Sequence, residues 1–281
     1  MFSIITANYN GKKYLEQVIK SVQEQTFANW EMIIFDDGSK DGSFEMAQDF
    51  AKGNSKIKVF CHPGNKNLGL AKTLQKALSL AKGEYIAFLE NDDYWHKTYL
   101  EEKIKILNKN KDFIVINKPV FFGEEKRVKK LSLYYKIIYL YCSIVNFSKN
   151  IWNLNKIFSF LNPVCTFSTL CVKREILEKL DFNTPFAPWL DKWLLLQLSF
   201  NHKFYFIYKE LTFWRLSNSS WTMKSIKEKK AGAKRFNKKA FKLYKKNLSS
   251  FSFIVFKIYY IFAKLFLGLG KFVLNKVLRL S

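Results

Sequence analysis

The chain has 281 residues, of which 48% are hydrophobic, so it is neither too short nor too polar to form a buried core. Its net charge of +24 is extreme and indicates a polyanionic partner, either nucleic acid or an anionic membrane surface. The four cysteines show no CxxC spacing and no secretory signal precedes the first strand, so we expect a reduced, cytosol-facing protein.

The first hundred residues alternate between strand and helix patterns. Short apolar runs predict strands at Phe2–Thr6, Glu31–Phe35 and Ile57–Cys61, and a fourth that begins at Tyr85. Apolar residues at helical spacing predict intervening helices at Lys12–Gln25, Ser43–Lys52 and Leu70–Ala81. This alternation predicts an α/β domain with a doubly wound, parallel sheet.

Polar side chains follow two of these strands. The fourth strand ends in an acidic and amide run that consists of Glu90, Asn91, Asp92 and Asp93. The second strand ends in Asp36 and Asp37. Because ligands of open α/β sheets bind outside the carboxyl ends of the strands, we expect these carboxylates to converge on one rim. Clustered oxygens suit Mg²⁺ or Mn²⁺, and the alternative is an acidic turn that caps a helix beginning near His96.

Four segments carry a resemblance to a known family. They are SIITANYNGKKYLEQVIKSVQEQTF, IIFDDGSKDGS, NLGLAKTLQKAL and GEYIAFLENDDYW. In this order and spacing they resemble the nucleotide-sugar-binding half of family 2 glycosyltransferases, which are inverting enzymes with a GT-A fold. Through CTFSTLCVKREILEKL, WLDKWLLLQLSFNHKFYFI and WRLSNSS the resemblance covers roughly Met1 to Trp221. It implies a Rossmann-like α/β fold, with a mostly parallel sheet flanked by helices.

The resemblance also implies which residues bind the nucleotide-sugar donor. These are Thr6, Ala7, Tyr9, Asp37, Lys72, Glu90, Asn91 and Arg215. Asp37 would read the edge of a uridine-type base, Lys72 would hold a phosphate, and the Arg215 guanidinium would grip the diphosphate. The alternatives are turn chemistry for Tyr9 and Asp37, and a solvated side chain for Lys72.

Negative charge develops on the departing diphosphate, and a cation would neutralise it. The resemblance implies that Asp92 is the metal ligand and that Mn²⁺ or Mg²⁺ is the cofactor, which acts on the leaving group as a Lewis acid. Glu90 stands where the family commonly has the first aspartate of its DxD element. We expect Asp93 to support the loop through hydrogen bonds. A second departure is Ser217, where many relatives have a histidine.

A single acid occurs in the second half of the resemblance at the position of the family's catalytic carboxylate. Asp191 is the only acid between Asp181 and Glu210, in an otherwise apolar and aromatic run. The resemblance makes it the general base that takes the proton of the acceptor hydroxyl. An unpaired carboxylate there would be costly, so the alternatives are a helix N-cap or an ion pair with Lys192 or Arg215.

The middle segment, Val120 to Leu161, falls outside the resemblance. It contains a basic patch, Lys126 to Lys130, followed by the apolar run KIIYLYCSIVNF. Two interpretations fit this pattern: a membrane-facing or acceptor-binding insertion, and a core helix of the acceptor half.

The tail from Lys224 to Ser281 is strongly basic, with 16 Lys or Arg residues and a single acid. Lys257, Lys264 and Lys271 recur every seventh residue among apolar residues, which places them on one face of a helix. Because no uncharged run reaches the about 18 residues of a spanning helix, we expect a basic amphipathic helical extension in the membrane interface. The alternative is a C-terminal helix packed on the enzyme.

These observations predict a donor-binding half at 1–95, an acceptor-binding half at 96–223 and a tail at 224–281. The expected function is metal-dependent inverting transfer of a sugar from a nucleotide donor, UDP-linked, to a saccharide or lipid-linked glycan in surface polysaccharide or lipooligosaccharide biosynthesis. The expected location is the cytoplasmic face of the inner membrane, as a peripheral protein that does not bind nucleic acid. The alternatives are an inactive scaffold of the same fold and a basic nucleic-acid-binding protein.

Overall fold

The computed structural model describes residues 1–146, 148, 150–152, 163–184, 189–216, 226–250, 253–254 and 257. The strands are β1 (Phe2–Asn8), β2 (Trp30–Asp36), β3 (Ile57–Cys61), β4 (Tyr85–Phe88), β5 (Tyr94–Trp95), β6 (Ile114–Gly123), β7 (Ile151–Trp152), β8 (Cys171–Lys173) and β9 (Phe204–Leu216). The helices are α1 (Lys12–Gln23), α2 (Ser43–Gly53), α3 (Leu70–Leu80), α4 (Tyr99–Leu107), α5 (Glu125–Val145), α6 (Arg174–Leu177), α7 (Leu190–Asn201) and α8 (Ile226–Asn247).

The strands form one sheet in the order β3-β2-β1-β4-β8-β6-β9-β5, with β7 paired to β9. Strands β1 to β4 are parallel, and Asn8 at the end of β1 lies opposite Asp36 at the end of β2. Strand β8 is antiparallel to β4 and β6, and β5 is antiparallel to β9, whereas β6 and β9 are parallel. The predicted α/β fold is therefore confirmed, and the second half of the chain makes the sheet mixed.

Strand β1 illustrates how the sheet separates two apolar cores. Neighbouring residues of a strand point to opposite faces. Ile4 accordingly lies in the core that contains α1, α2 and α4, while Ile5 lies in the core that contains α3, α5, α7 and α8. Both side chains are buried. A parallel sheet that is covered on both faces reads as a continuous apolar run, which is why the sequence predicted this strand.

Helix α5 occupies the middle segment for which the sequence left two interpretations. Its inner side, formed by Tyr135, Ile138, Tyr139 and Cys142, is buried in the core. On its outer side, Leu133 and other apolar residues are exposed to solvent. The helix is therefore a core helix along one side only.

Helix α8 lies within the segment that we predicted to be a tail. Phe236, Ala240 and Tyr244 recur at intervals of four residues and are buried against α7. The Phe236 ring meets those of Trp189 and Trp193 edge-on, at centroid distances of 5.3 and 6.1 Å. Residues 226–247 thus pack on the domain. The predicted amphipathic segment after residue 250 lies outside the described residues, apart from 253, 254 and 257.

None of the helices in the described residues combines the length and the apolar content that crossing a bilayer requires.

A lysine is enclosed in the core beneath the acidic run. Lys103 of α4 is fully buried, and its Nζ donates to the backbone carbonyls of Thr169 at 2.7 Å and Val115 at 3.2 Å. The ammonium also lies 4.8 Å from the centroid of the Tyr99 ring. Burial lowers the pKa of Lys103 to about 7, because a charge is poorly solvated there.

This lysine predicts a pH dependence of stability. Between pH 7 and the pKa of about 10.4 of an unfolded lysine, the unfolded chain binds more protons than the folded one. The wild type should therefore gain up to about 1.4 kcal/mol of stability per pH unit across this window relative to Lys103→Met. Denaturant unfolding of both proteins from pH 7 to 9 measures the difference. The exposed control Lys109→Met should track the wild type, and a pH-independent difference for Lys103→Met would contradict the prediction.

Candidate functional site

The tips of β1 and β2 are joined by a buried hydrogen-bond network. Asn8 Nδ2 donates to Asp36 Oδ2 at 2.6 Å and to Ser43 Oγ at 2.9 Å. The Asp36 carboxylate also accepts from the backbone amides of Gly38 at 3.0 Å and Ser39 at 2.8 Å. Asp36 is fully buried, so it shapes this turn. The expectation that it would converge with the other carboxylates on an open rim was therefore wrong.

Asp37 connects the tip of β2 to the beginning of α3. Its carboxylate accepts from the backbone amides of Leu68 at 2.7 Å and Gly69 at 3.0 Å. Gly69 has a φ of +88°, which favours glycine because it has no Cβ. Lys72 is the third residue of α3 and is exposed. Asp37 is therefore fastened to a distant loop, and its contact with a base remains a prediction.

The three residues predicted in the first loop differ in accessibility. Thr6 is fully buried, and its hydroxyl has no hydrogen-bond partner among the described residues. Ala7 is partly buried, whereas Tyr9 is 50% exposed. Tyr9 is thus open to a ligand, while a contact of Thr6 with a donor remains a prediction that requires local opening.

Asn91 ties the end of β4 to the loop after β1. Its Nδ2 donates to Asn8 Oδ1 at 3.2 Å and to the Tyr9 carbonyl oxygen at 3.5 Å. The backbone of Gly11 approaches this pair so closely that a Cβ there would lie 2.5 Å from Asn91 Nδ2. A larger residue at position 11 would therefore displace the side chains of Asn8 and Asn91 and disturb the bond between them.

Glu90 and Asp93 share one hydroxyl group from the segment before β8. Thr166 Oγ1 contacts Glu90 Oε2 and lies 3.1 Å from Asp93 Oδ2. A threonine hydroxyl carries one proton, so it cannot donate to two ionised carboxylates at once. Asp93 also accepts from the backbone amide of Arg215 at 2.9 Å. These bonds agree with the expected supporting role of Asp93.

The acidic run is enclosed, and this raises the pKa of each of its three carboxyl groups. Burial, followed by the negative charge of Asp92, raises the pKa of Glu90 to about 8. Burial raises the pKa of Asp92 although the Arg215 charge opposes it. Burial and then the charges of Asp92 and Glu90 raise the pKa of Asp93 well above its ordinary value. The three groups therefore repel one another in a poorly solvated space, and a positive charge would relieve that repulsion.

Arg215 of β9 is held against the acidic run from several sides. Its Nε donates to the Asp92 carbonyl oxygen at 2.9 Å and its Nη2 to Gln17 Oε1 at 2.7 Å. The guanidinium lies between two aromatic rings, 4.1 Å from the centroid of Tyr14 and 4.5 Å from that of Phe122. Its position next to Asp92 is the one that the expected contact with a diphosphate requires.

Asp191 lies in the first turn of α7, where the helix dipole favours a negative charge. The residue at the N-cap is Trp189, so the N-cap alternative for Asp191 is excluded. The ammonium group of Lys192 lies over the Trp189 ring, at 5.4 Å from its centroid. The charge of Asp191 contributes to the raised pKa of Glu90, so α7 brings the predicted base into electrostatic range of the acidic run.

The donor set of this region fits a hard divalent cation that is completed by substrate. Carboxylate oxygens are ligands that Mg²⁺ and Mn²⁺ prefer, and Mg²⁺ is usually held by one or two carboxylates together with substrate phosphates. Across the part of the chain that the structure describes, no three His, Cys, Asp or Glu side chains are arranged to hold a metal by themselves. Asp92 would thus hold the cation jointly with a diphosphate.

Thr166 bonds to the acidic run, although the sequence did not single it out. It belongs to the CTFSTL segment, whose polar residues Thr166 and Ser168 stand out in a buried stretch. Ser168 Oγ accepts from the Glu90 amide at 3.0 Å. Gln17 was missed as well, because α1 offers no signal that links it to a residue 198 positions away. Ser217 lies outside the described residues.

Removal of the Thr166 hydroxyl should weaken the site and the fold together. Thr166→Val leaves the buried Asp93 carboxyl group and the half-buried Glu90 carboxyl group without this partner, so we expect a loss of about 2 kcal/mol in the free energy of unfolding. Thr166→Ser keeps the hydroxyl and should retain most of the stability. Denaturant titrations of the three proteins measure the difference, and equal stability of the valine and serine variants would contradict the role assigned to the hydroxyl.

The family model described as Glycosyl transferase family 2 matches residues 3–180 of the chain. Among curated proteins, TuaG of Bacillus subtilis, whose name assigns it provisionally to teichuronic acid biosynthesis, is 39% identical over 107 residues. These cover 38% of this chain and 42% of that protein. WfgD of Escherichia coli, named a UDP-Glc:alpha-D-GlcNAc-diphosphoundecaprenol beta-1,3-glucosyltransferase, is 37% identical over 110 residues. These cover 39% of this chain and 42% of WfgD, so the chain spans less than half of either relative.

Among solved structures, that of S. aureus TarS 1-349 in complex with UDP-GlcNAc superposes with a TM-score of 0.61 at 19% sequence identity. The superposition covers 83% of this chain and 66% of that chain. At this level of identity the likeness concerns the fold.

Proposed function

The chain belongs to glycosyl transferase family 2 and is a glycosyltransferase with the GT-A fold, and from that premise we propose a specific reaction for it. The proposed reaction is metal-dependent, inverting transfer of a sugar from a UDP-sugar to a saccharide or lipid-linked glycan. The proposed setting is the assembly of surface polysaccharide or lipooligosaccharide at the cytoplasmic face of the inner membrane.

One observation carries this proposal: Arg215 is bonded to the acidic run after β4, through its Nε to the Asp92 carbonyl oxygen at 2.9 Å. The charge of Asp191, in the first turn of α7, adds to the raised pKa of Glu90, which supports its assignment to the same site. An inverting displacement needs these two elements, a place that stabilises the leaving diphosphate and a base across from it.

The reaction then follows from general chemistry. The Asp191 carboxylate accepts the proton of the acceptor hydroxyl as the hydroxyl oxygen bonds to the anomeric carbon. The bond from that carbon to the diphosphate oxygen breaks on the opposite face, so the configuration inverts. The electron pair leaves with the nucleoside diphosphate, which needs no protonation to depart.

Asp92 is the proposed metal ligand, and the bound cation would supply Lewis-acid stabilisation of the diphosphate. Glu90 is held by Thr166 and Asp93 by both Thr166 and the Arg215 amide. Asp92 is therefore the acid of this run for which we propose direct coordination. Arg215 adds a fixed positive charge beside it.

The names of the relatives support the choice of donor and acceptor. WfgD is named for a UDP-glucose donor and for a diphosphoundecaprenol-linked acceptor, and the TarS structure contains UDP-GlcNAc. TuaG is named for the synthesis of a cell-surface polymer. A lipid-linked acceptor would also account for a membrane partner of a chain with a net charge of +24.

A donor panel tests this function. UDP-, GDP- and dTDP-sugars are added to the protein with Mn²⁺, and the melting temperature is recorded. A donor at about 100 times its Kd should stabilise the fold by about 2.7 kcal/mol, because it binds only the folded state. We expect stabilisation by UDP-sugars. A panel in which no nucleotide sugar raises the melting temperature would overturn the proposal.

Residues 224–281 are proposed to hold the protein at the membrane. This rests on the basic, apolar composition of the segment after residue 250, since α8 itself packs on the domain. Removal of residues 251–281 should lower the fraction that sediments with anionic vesicles and leave the donor-induced rise in melting temperature intact. Unchanged sedimentation would count against this role.

A further inference from the structure

Helix α5 has one face that is part of the core. Tyr135 packs against the rings of Phe121 and Trp214, at centroid distances of 5.6 and 6.4 Å, and Tyr139 packs against Phe206 at 4.6 Å. Trp214 precedes Arg215, which donates to the Asp92 carbonyl oxygen. The inner face of α5 therefore packs next to the strand segment that carries Arg215 of the site.

The opposite face of α5 carries large apolar side chains that are open to solvent. We call them the outer ridge: Leu133, Ile137, Leu140 and Ile144, which are 57%, 60%, 62% and 61% exposed. Their spacing of four, three and four residues places them on one face, within about 60° of one another. Single exposed apolar residues are common on protein surfaces. A contiguous row of four marks an interaction surface.

Basic side chains surround the outer ridge. Lys126, Lys130 and Lys136 are exposed, and at 3.6 residues per turn they continue or flank the ridge. Lys129 is exposed as well and pairs with Glu125 at 2.7 Å. Lysine is depleted from protein–protein interface cores. An apolar row flanked by lysines is instead the pattern of a helix that lies in the headgroup region of an anionic bilayer, with its lysine stems along the apolar surface.

We propose that the outer ridge of α5 and its flanking lysines form a docking surface for an anionic membrane. The four apolar side chains would enter the boundary between headgroups and acyl chains, and the lysines would contact lipid phosphates. The surface is separate from the segment after residue 250, because it lies on a helix between β6 and β7.

Docking through this surface also orients the site. Because the inner face of α5 packs against Trp214, the neighbour of Arg215, a bilayer against the outer ridge lies one helix diameter, about 10 Å, from the strand that carries Arg215. A lipid-linked glycan could then reach the site without leaving the membrane. This consequence rests on the proposed function, whereas the docking itself does not.

The first experiment measures partition of the full-length protein onto vesicles of phosphatidylcholine with phosphatidylglycerol, without donor or acceptor. The ridge variant combines Ile137→Gln and Leu140→Gln, and its matched control combines Leu70→Gln and Leu80→Gln, which are also exposed. We expect the ridge variant to bind about 100-fold more weakly, since insertion of each such side chain is worth on the order of tenfold. The control should bind like the wild type. Equal binding of the ridge variant and control would overturn the proposal.

A second set of variants tests the charge. The charge variant and its equally charged control replace three exposed lysines each: Lys126→Gln, Lys130→Gln and Lys136→Gln in the first, and Lys76→Gln, Lys97→Gln and Lys109→Gln in the second. We expect the first to lose about fivefold in partition per lysine and the second to lose less. Equal losses in the two would overturn the assignment of the lysines to the docking surface.

Two other occupants of the outer ridge give different results. If residues 251–281 or a second copy of the chain covered it, the ridge variant would melt at a lower temperature or change its mass in solution. Either result overturns the proposal, whereas an unchanged melting temperature and mass support it. Vesicle binding needs no turnover, so it can fail while the donor panel succeeds, or the reverse.

Discussion

Asp191→Asn is expected to lower the rate of sugar transfer by about 10²-fold to 10⁴-fold, the contribution of a well-placed general base. Asparagine has nearly the same shape as aspartate but cannot accept the proton of the acceptor hydroxyl. Asp191 lies in the first turn of α7, outside the strand-tip loops where the nucleotide is expected. The affinity for UDP should therefore stay within about twofold of the wild type, since no binding contact is predicted to be lost.

Initial rates with a UDP-sugar and isothermal titration with UDP measure the two quantities separately. The matched control is Asp112→Asn, an aspartate in the exposed turn before β6, and it should keep both. Near-normal turnover of Asp191→Asn would remove this residue from the role of base. Loss of UDP affinity together with rate would instead assign Asp191 to donor binding.

Asp92→Asn is expected to weaken Mn²⁺ binding in the presence of UDP by more than about 100-fold and transfer by about 10³-fold. The amide offers one neutral oxygen in place of a carboxylate, which a hard cation binds less well. The fold should not suffer, because the substitution removes one of three carboxyl groups that repel one another. The free energy of unfolding of the metal-free protein should be equal to or higher than that of the wild type.

Electron paramagnetic resonance of free Mn²⁺ measures the affinity with and without UDP. Asp112→Asn again serves as the control and should bind the ion like the wild type. Mn²⁺ affinity that is unchanged in Asp92→Asn would show that other atoms hold the cation. A loss of stability in the metal-free variant would indicate that Asp92 supports the loop, as Asp93 does.

Much of the first half of the fold could be predicted from the sequence because β1, β2 and β4 are buried on both faces, although the edge strand β3 is buried only at Ile57. Strand β3 was predicted with its observed bounds and α3 to within one residue. Strand β1 continues to Asn8, two residues beyond the predicted end, because Asn8 is a polar residue whose side chain is satisfied internally by Asp36. The polar residue indicated the end of the strand in the sequence, whereas the backbone pairing of β1 with β2 continues to Asn8.

Helix α5 was harder to predict because both of its faces are apolar. A buried inner side and an exposed outer ridge leave little periodic contrast along its 21 residues, so the amphipathic signal that identified α1 is weak here. The antiparallel strands of the second half were also not anticipated. Strand β8 is only three residues long and carries too little pattern to indicate its direction.

The candidate site was predictable as a set of residues but not as a set of contacts. The acidic run and Asp191 have chemical signatures that stand out in apolar surroundings. The roles of Thr166 and Gln17 depend on chain segments that meet only in three dimensions, 76 and 198 residues from their partners. Asp36 and Asp37 look equivalent in sequence, yet one is enclosed in a turn and the other fastens the loop before α3.

The attachment of Arg215 to the acidic run has a consequence for how the protein acquires its site. Its bonds to Asp92 and Asp93 close loops of 123 and 122 residues, which are among the slow, entropically costly steps of folding. The parallel strands at the front can pair before β9 exists, for instance during synthesis. The acidic run is braced only once β9 has docked, so an excised fragment that ends at residue 180, where the family match ends, would keep the strands predicted to bind the nucleotide and lose the brace on the acidic run.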